Sequence, residues 1–198
     1  MTLTLFLEIL GTIIGFIYLY WEYKASRWLW LASFLMPATS LLVFYEAGLY
    51  ADLWINVYYM LAAVYGFLVW TFAKPATHSA AEMPITHMPR GRYVPAVLVG
   101  AALLMLFYWI LDNFTDSNVA LADALTTALS VVAMWMLARK YLQQWLVWIA
   151  VDVISVVLYV YKGIYFYAAL YLVYTIVAVA GYYNWKKLMN NGSDNTSV

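Results

Sequence analysis

Residues 142–161 read LQQWLVWIAVDVISVVLYVY, twenty residues with a single charge, Asp152, near the centre. About 20 predominantly apolar residues are what an α-helix needs to cross the hydrocarbon of a bilayer. The stretch is therefore a membrane span. An acid at mid-span is expensive, by about 2.5–3.5 kcal/mol on insertion scales, so Asp152 is a functional candidate from the outset. Arg139 and Lys140 bound the stretch on one side and Lys162 on the other.

Six more stretches of this kind lie outward from it, at 3–21, 28–45, 50–72, 93–112, 119–138 and 164–184. The chain is 67% hydrophobic and 10% charged, too few charges to cover a soluble surface. The first stretch has no basic leader and no small-residue cleavage site, so it reads as a retained helix. Lys24, Arg27, Lys74, Arg90, Arg92, Arg139, Lys140, Lys186 and Lys187 all fall in alternate gaps between the spans, and only Lys162 lies opposite. Cytoplasmic loops are enriched in Lys and Arg, so the expected topology puts the N-terminus outside and the C-terminus inside. The expected fold is an all-α, multi-pass integral membrane protein of seven transmembrane helices.

The chain also repeats at an offset of 115 residues. Leu10 and Thr12 recur as Leu125 and Thr127, and Trp30-Leu31 as Trp145-Leu146. Ser40, Gly48, Tyr50 and Tyr59 recur as Ser155, Gly163, Tyr165 and Tyr174. Ala63-Val64, Gly66 and Trp70 recur as Ala178-Val179, Gly181 and Trp185, while Glu8 matches Asp123 and Lys24 matches Arg139 conservatively. Residues 1–72 and 119–187 are thus two three-helix copies. Residues 73–118 supply a flexible cytoplasmic connection, a linking helix and an outer loop, and 188–198 a disordered tail. One intervening helix makes the copies parallel, a 3+1+3 arrangement that transporters use with a substrate site near the midplane.

On the sixth span Trp145, Trp148, Asp152, Ser155 and Tyr159 share one face. On the third, Asp52, Asn56, Tyr59, Ala63 and Gly66 do so, and on the seventh Tyr167, Tyr171, Tyr174, Ala178 and Gly181. Aromatic walls beside one acid suit a flat, cationic ligand. Trp145 and Trp148 stand equally as ligand contacts or as interfacial aromatics, and Trp21, Trp70, Trp185 and Tyr183 read as the interfacial belt. Glu8 and Asp123, about a third of the way into their helices, read as structural or gating groups bonding across the repeat interface to Thr127 or Thr12. Pro37 marks a kink at the repeat position of Asp152.

The stretch WLVWIAVDVISVVLYVYK at 145–162 resembles the Pnu family of bacterial vitamin transporters. So do LSVVAMWMLARKY at 129–141, LYAD at 49–52 and VYG at 64–66. The resemblance implies a 3+1+3 fold, facilitated diffusion, trapping of the vitamin by cytoplasmic phosphorylation and, in one branch, a homotrimer. The family's Trp-x-x-Trp motif falls on Trp145 and Trp148. Two amides typical of nicotinamide riboside carriers align with Asn56, where Gln is usual, and Asp152, where Asn is usual. A carboxylate favours a cation over a carboxamide. With MPA at 36–38 and GLYAD at 48–52, the resemblance implies thiamine, with nicotinamide riboside as the alternative and a non-transporting structural subunit as a third reading.

Other classes fail on specific residues. Span 164–184 has no Lys for a retinal Schiff base, and no HExxH or Gly-x-Gly-Asp motif supports an intramembrane enzyme. Zero net charge offers no field for nucleic acid. No metal or cofactor is expected: there is no Cys, and His78 and His87 are isolated loop residues.

Overall fold

The computed structural model describes residues 3–46, 50–72, 83–115 and 119–194. They form seven α-helices: α1 Leu3–Tyr23, α2 Leu29–Glu46, α3 Tyr50–Phe72, α4 Tyr93–Phe114, α5 Ala120–Ala138, α6 Gln144–Tyr161 and α7 Tyr165–Asp194. Each coincides with an expected span to within two residues at either end, except that α7 continues past the expected end of its span. By length and composition α4 to α7 can each cross a membrane, and α2 and α3 carry the shorter apolar stretches Leu29–Thr39 and Asn56–Phe72. The extension of α7 corrects the expected tail: residues 188–194 continue the helix. In a helix already several turns long, each added residue gains a backbone hydrogen bond for one residue fixed, and Lys186, Lys187, Leu188 and Met189 are good helix formers.

The chain divides into two compact units, 1–84 and 85–198. In the first, α2 packs against both α1 and α3. In the second, α6 packs against both α5 and α7, and α4 packs on α5.

Inside each unit the 115-residue offset returns as geometry. Helix α1 ends with Ala25 in the left-handed region at φ 51°, and α5 ends with Lys140 at φ 50°. The Ala25 N–H donates to Glu22 O at 2.9 Å and the Ser26 N–H to Trp21 O at 2.9 Å. The Lys140 N–H donates to Leu137 O at 2.9 Å and the Tyr141 N–H to Met136 O at 3.0 Å. These are two Schellman caps built on residues with a Cβ, where glycine is the usual choice. Beyond each cap, the first turn of the next helix sends a tryptophan, Trp30 or Trp145, onto a glycine of the helix after it. A Cβ on Gly66 would collide with the Trp30 ring, and one on Gly181 would sit 2.6 Å from the Trp145 ring. Trp30 then meets Trp70 edge to face at 5.6 Å, and Trp145 meets Trp185 at 5.7 Å.

Trp70 and Trp185 are buried, at 3% and 0% exposure, which corrects their assignment to the interfacial belt. An indole that can bury its whole ring against a second indole over a glycine gains more than one left at the headgroups.

The segment before α4 is also more ordered than expected. Thr86 forms a parallel β-bridge with Tyr141: its N–H donates to Lys140 O at 3.1 Å, and Leu142 N–H donates to its carbonyl at 2.9 Å. The Gln143 side chain accepts from the Met88 N–H at 2.9 Å and lies 2.8 Å from His87 Nδ1. Met88, Met136 and Tyr141 close a small core beneath, with Trp135 and Val147 against it. Residues 85–92 are therefore clipped to the α5–α6 turn. The rest of the expected flexible connection, 73–82, lies outside the described residues.

Candidate functional site

Asp152 occupies the middle of α6 and is 6% exposed, with Ser155 buried one turn on. Tyrosines of α6 and α7 form a cluster in the same unit. Tyr159 stacks on Tyr167 and on Tyr171, both at 5.3 Å, and Tyr171 meets Tyr174 edge to face at 5.6 Å. Asp152 is close enough to act electrostatically on Tyr171 and Tyr174. Four tyrosines thus run from the α6–α7 turn to a buried carboxylate. Faces of this kind attract cations by about 0.5–2 kcal/mol each and stack planar rings.

The two tryptophans of the Trp-x-x-Trp motif separate. Trp145 is 1% exposed and filled against Gly181 and Trp185, a packing position between α6 and α7. Trp148 is half-buried, on the same face as Asp152 one turn away. The expected α7 face divides likewise. Ala178 and Gly181 carry helix packing, and Tyr171 and Tyr174 face the acid.

In the other unit Asn56 and Tyr59 are half-buried on α3, Tyr59 lying 5.6 Å from Tyr58. Pro37 is buried inside α2. A cavity of about 230 Å³ on α2 and α3, lined by Trp28, Trp30, Phe34, Ala63 and Phe67 among others, is apolar and includes none of the expected site residues. Glu8 lies in α1, and its side chain is outside the described ones, as is that of Asp52.

Asp123 is not a third of the way into a span. It sits in the first turn of α5, where Lys162 Nζ approaches its carboxylate at 3.4 Å. The Thr127 hydroxyl donates to the backbone Asp123 O at 2.8 Å, a bond within α5. The cation that breaks the charge alternation is thus paired with an acid at the same end of the unit. Among the described residues no cluster of three or more His, Cys, Asp or Glu could hold a metal ion.

Two buried polar residues escaped the sequence reading. Glu22 is 2% exposed near the end of α1 and accepts a hydrogen bond from Tyr18. Gln144 is 0% exposed, and neither its amide nitrogen nor its oxygen has a hydrogen-bond partner. Leaving such a group unpaired costs about 1–3 kcal/mol. Its place at a predicted span boundary hid it, since a Gln there reads as a solvated end.

The family model for the nicotinamide mononucleotide transporters matches residues 5–187. The chain belongs to that family. It is a multi-pass membrane transporter of the Pnu vitamin-carrier type and not an enzyme. The nicotinamide riboside transporter PnuC of Escherichia coli is 24% identical over 168 residues, 73% of this chain and 70% of its own length. The riboflavin/roseoflavin transporter RibM of Streptomyces davaonensis is 26% identical over 185 residues, 90% of this chain and 83% of its own. The crystal structure of the vitamin B3 transporter PnuC superposes with a TM-score of 0.70 at 20% identity, covering 94% of this chain and 83% of that one. This likeness establishes the Pnu transporter fold.

The expectation of thiamine is not supported by these relatives, whose named substrates are nicotinamide riboside and riboflavin or roseoflavin. Its physical basis did not separate the candidates. Nicotinamide riboside carries a pyridinium charge, so a carboxylate beside aromatic rings suits it as well as it suits thiamine.

Proposed function

We propose that this Pnu transporter carries nicotinamide riboside across the bacterial inner membrane by facilitated diffusion, with cytoplasmic phosphorylation trapping the product. The observation that carries the reading is Asp152 buried at mid-helix beside Tyr171 and Tyr174. A planar pyridinium ring stacks on tyrosine faces while its charge meets the carboxylate. Trp148 offers a further ring on the same face of α6. Asn56 and Tyr59 belong to the proposed substrate-binding set as well, Asn56 because an amide pairs with the ligand's carboxamide. Trp145 serves that set by positioning α6 against α7, and Glu8, Asp123 and Pro37 serve it structurally or in gating.

The relatives support the substrate: nicotinamide riboside is named for PnuC of Escherichia coli and of Haemophilus influenzae, the latter 31% identical over 100 residues. Riboflavin is the second reading, favoured by the RibM relative. In this proposal the N-terminus lies outside and the C-terminus inside, residues 1–72 and 119–187 act as parallel repeats, and a homotrimer is the working assembly.

Titration of the purified protein against nicotinamide riboside, riboflavin and thiamine, read by Trp fluorescence, tests the substrate. Saturable binding of nicotinamide riboside at the lowest concentration is expected; preference for either competitor refutes the assignment. Proteoliposomes that accumulate nicotinamide riboside above equilibrium under a sodium or proton gradient would refute facilitated diffusion.

A further inference from the structure

We infer that Gln144 is a ligand-contacting residue of the transport route, its carboxamide hydrogen-bonding polar groups of the vitamin on the side of Asp152 toward the α5–α6 turn. The inference rests on the reading of the chain as a Pnu-type vitamin carrier and adds a residue to it.

Gln144 opens α6 with no exposed surface, and both atoms of its amide lack a partner. Its neighbour provides the contrast. Gln143 uses both amide atoms, one on the Met88 N–H and one on His87, and so accounts for its own presence structurally. Gln144 holds nothing together. Buried amides without partners are rare in native proteins because each donor and acceptor gave up water to enter.

The repeat supplies an internal control. At the 115-residue offset, the counterpart of Gln144 is Leu29, which is also 0% exposed. Both residues follow a Schellman cap and precede the tryptophan that packs on glycine. The position is thus a packing slot that an apolar chain fills in the first unit. The scaffold does not require an amide there.

The place of Gln144 along α6 indicates what the amide is for. Gln144, Trp148, Asp152 and Ser155 follow at i, i+4, i+8 and i+11, one face of the helix. The Trp148 indole N–H is likewise buried without a partner. At 1.5 Å per residue, Gln144 stands roughly 12 Å along the axis from Asp152, with Trp148 midway. In order, the face presents an amide with two donors and an acceptor oxygen, an indole donor, a carboxylate and a hydroxyl. The ligand class that satisfies it is a heteroaromatic ring bearing carboxamide or imide groups and sugar-type hydroxyls. The same face of α2 reads Leu29, Ser33, Pro37 and Ser40, with neither amide nor acid.

The test replaces Gln144 with the first unit's own solution. Purified Gln144→Leu, Gln144→Met and wild type are titrated with whichever of nicotinamide riboside, riboflavin and thiamine the wild type binds, and melting temperatures are recorded. The expected result is a Kd raised tenfold or more in both variants with the melting temperature unchanged or higher, and partial recovery in Gln144→Asn. A Kd within twofold of wild type in either folded variant would overturn the inference. The wild-type panel alone decides which vitamin is carried, so an error in the substrate and an error about Gln144 give different results.

Discussion

Trp145 and Trp185 meet edge to face with centroids 5.7 Å apart and planes at 89°, and the pair is the copy of Trp30 and Trp70 at 5.6 Å and 90°. Each pair closes over a glycine, Gly181 or Gly66, that gives the ring its seat. The seat explains why these positions match between the repeats when most others have drifted.

A methyl group in the seat should be costly. In Gly181→Ala the new Cβ would lie 2.6 Å from the fully buried Trp145 ring, so the ring or the helix must shift. Overpacking of this kind costs about 1–3 kcal/mol. Thermal unfolding in detergent should show a lower melting temperature for Gly181→Ala and for Gly66→Ala alike. A wild-type melting temperature in both would mean that the rings shift freely and that the shared geometry is incidental.

The caps predict the opposite sign. Ala25 and Lys140 adopt positive φ at C′ positions where glycine carries no Cβ penalty. A non-glycine residue held there stores on the order of 1 kcal/mol of strain. Ala25→Gly should therefore raise the melting temperature and leave ligand affinity unchanged, since Ala25 is not among the proposed ligand contacts. A fall in stability would show that the entropy returned to the unfolded chain exceeds the strain released.

Much of this was legible beforehand, for identifiable reasons. Span positions follow from solvation alone, because a backbone in hydrocarbon must satisfy its own hydrogen bonds. The repeat was legible because within each unit one tryptophan ties a glycine and a second tryptophan together sterically, Trp30 with Gly66 and Trp70, and Trp145 with Gly181 and Trp185. What those residues do was not legible: Trp70 and Trp185 looked like interfacial aromatics, since composition cannot say whether an indole faces lipid or a neighbouring helix. Lys162 and Asp123 lie 39 residues apart, and only the packing of α5 beside α6 brings them together. Gln144 and Glu22 were missed because burial near a span boundary depends on tertiary contacts. The substrate was not legible because charge alone does not distinguish two cationic vitamins.

Topology has a direct test in a chain with no cysteine. Single substitutions Thr115→Cys, beyond α4, and Asn191→Cys, near the end of α7, provide unique labels. In intact cells stripped of their outer membrane, an impermeant maleimide should modify Thr115→Cys and leave Asn191→Cys until the membrane is permeabilised. The reverse pattern would invert the orientation that Lys and Arg placement implies.

Asp152 separates the two candidate substrates. A pyridinium held near a carboxylate gains on the order of 4 kcal/mol at 4 Å and an effective dielectric of about 20, before the cost of dehydrating both groups. Even a surplus of about 1.4 kcal/mol is a factor of ten in Kd. Asp152→Asn keeps the shape and removes the charge, so it should weaken nicotinamide riboside at least tenfold. Riboflavin, whose ring is neutral, should lose little, and the ratio of the two affinities should fall. Tighter binding of nicotinamide riboside by the variant would show that carboxamide pairing outweighs charge at this position. Unchanged affinity for both ligands would remove Asp152 from the site, and the aromatic rings of α6 and α7 would have to hold the vitamin without it.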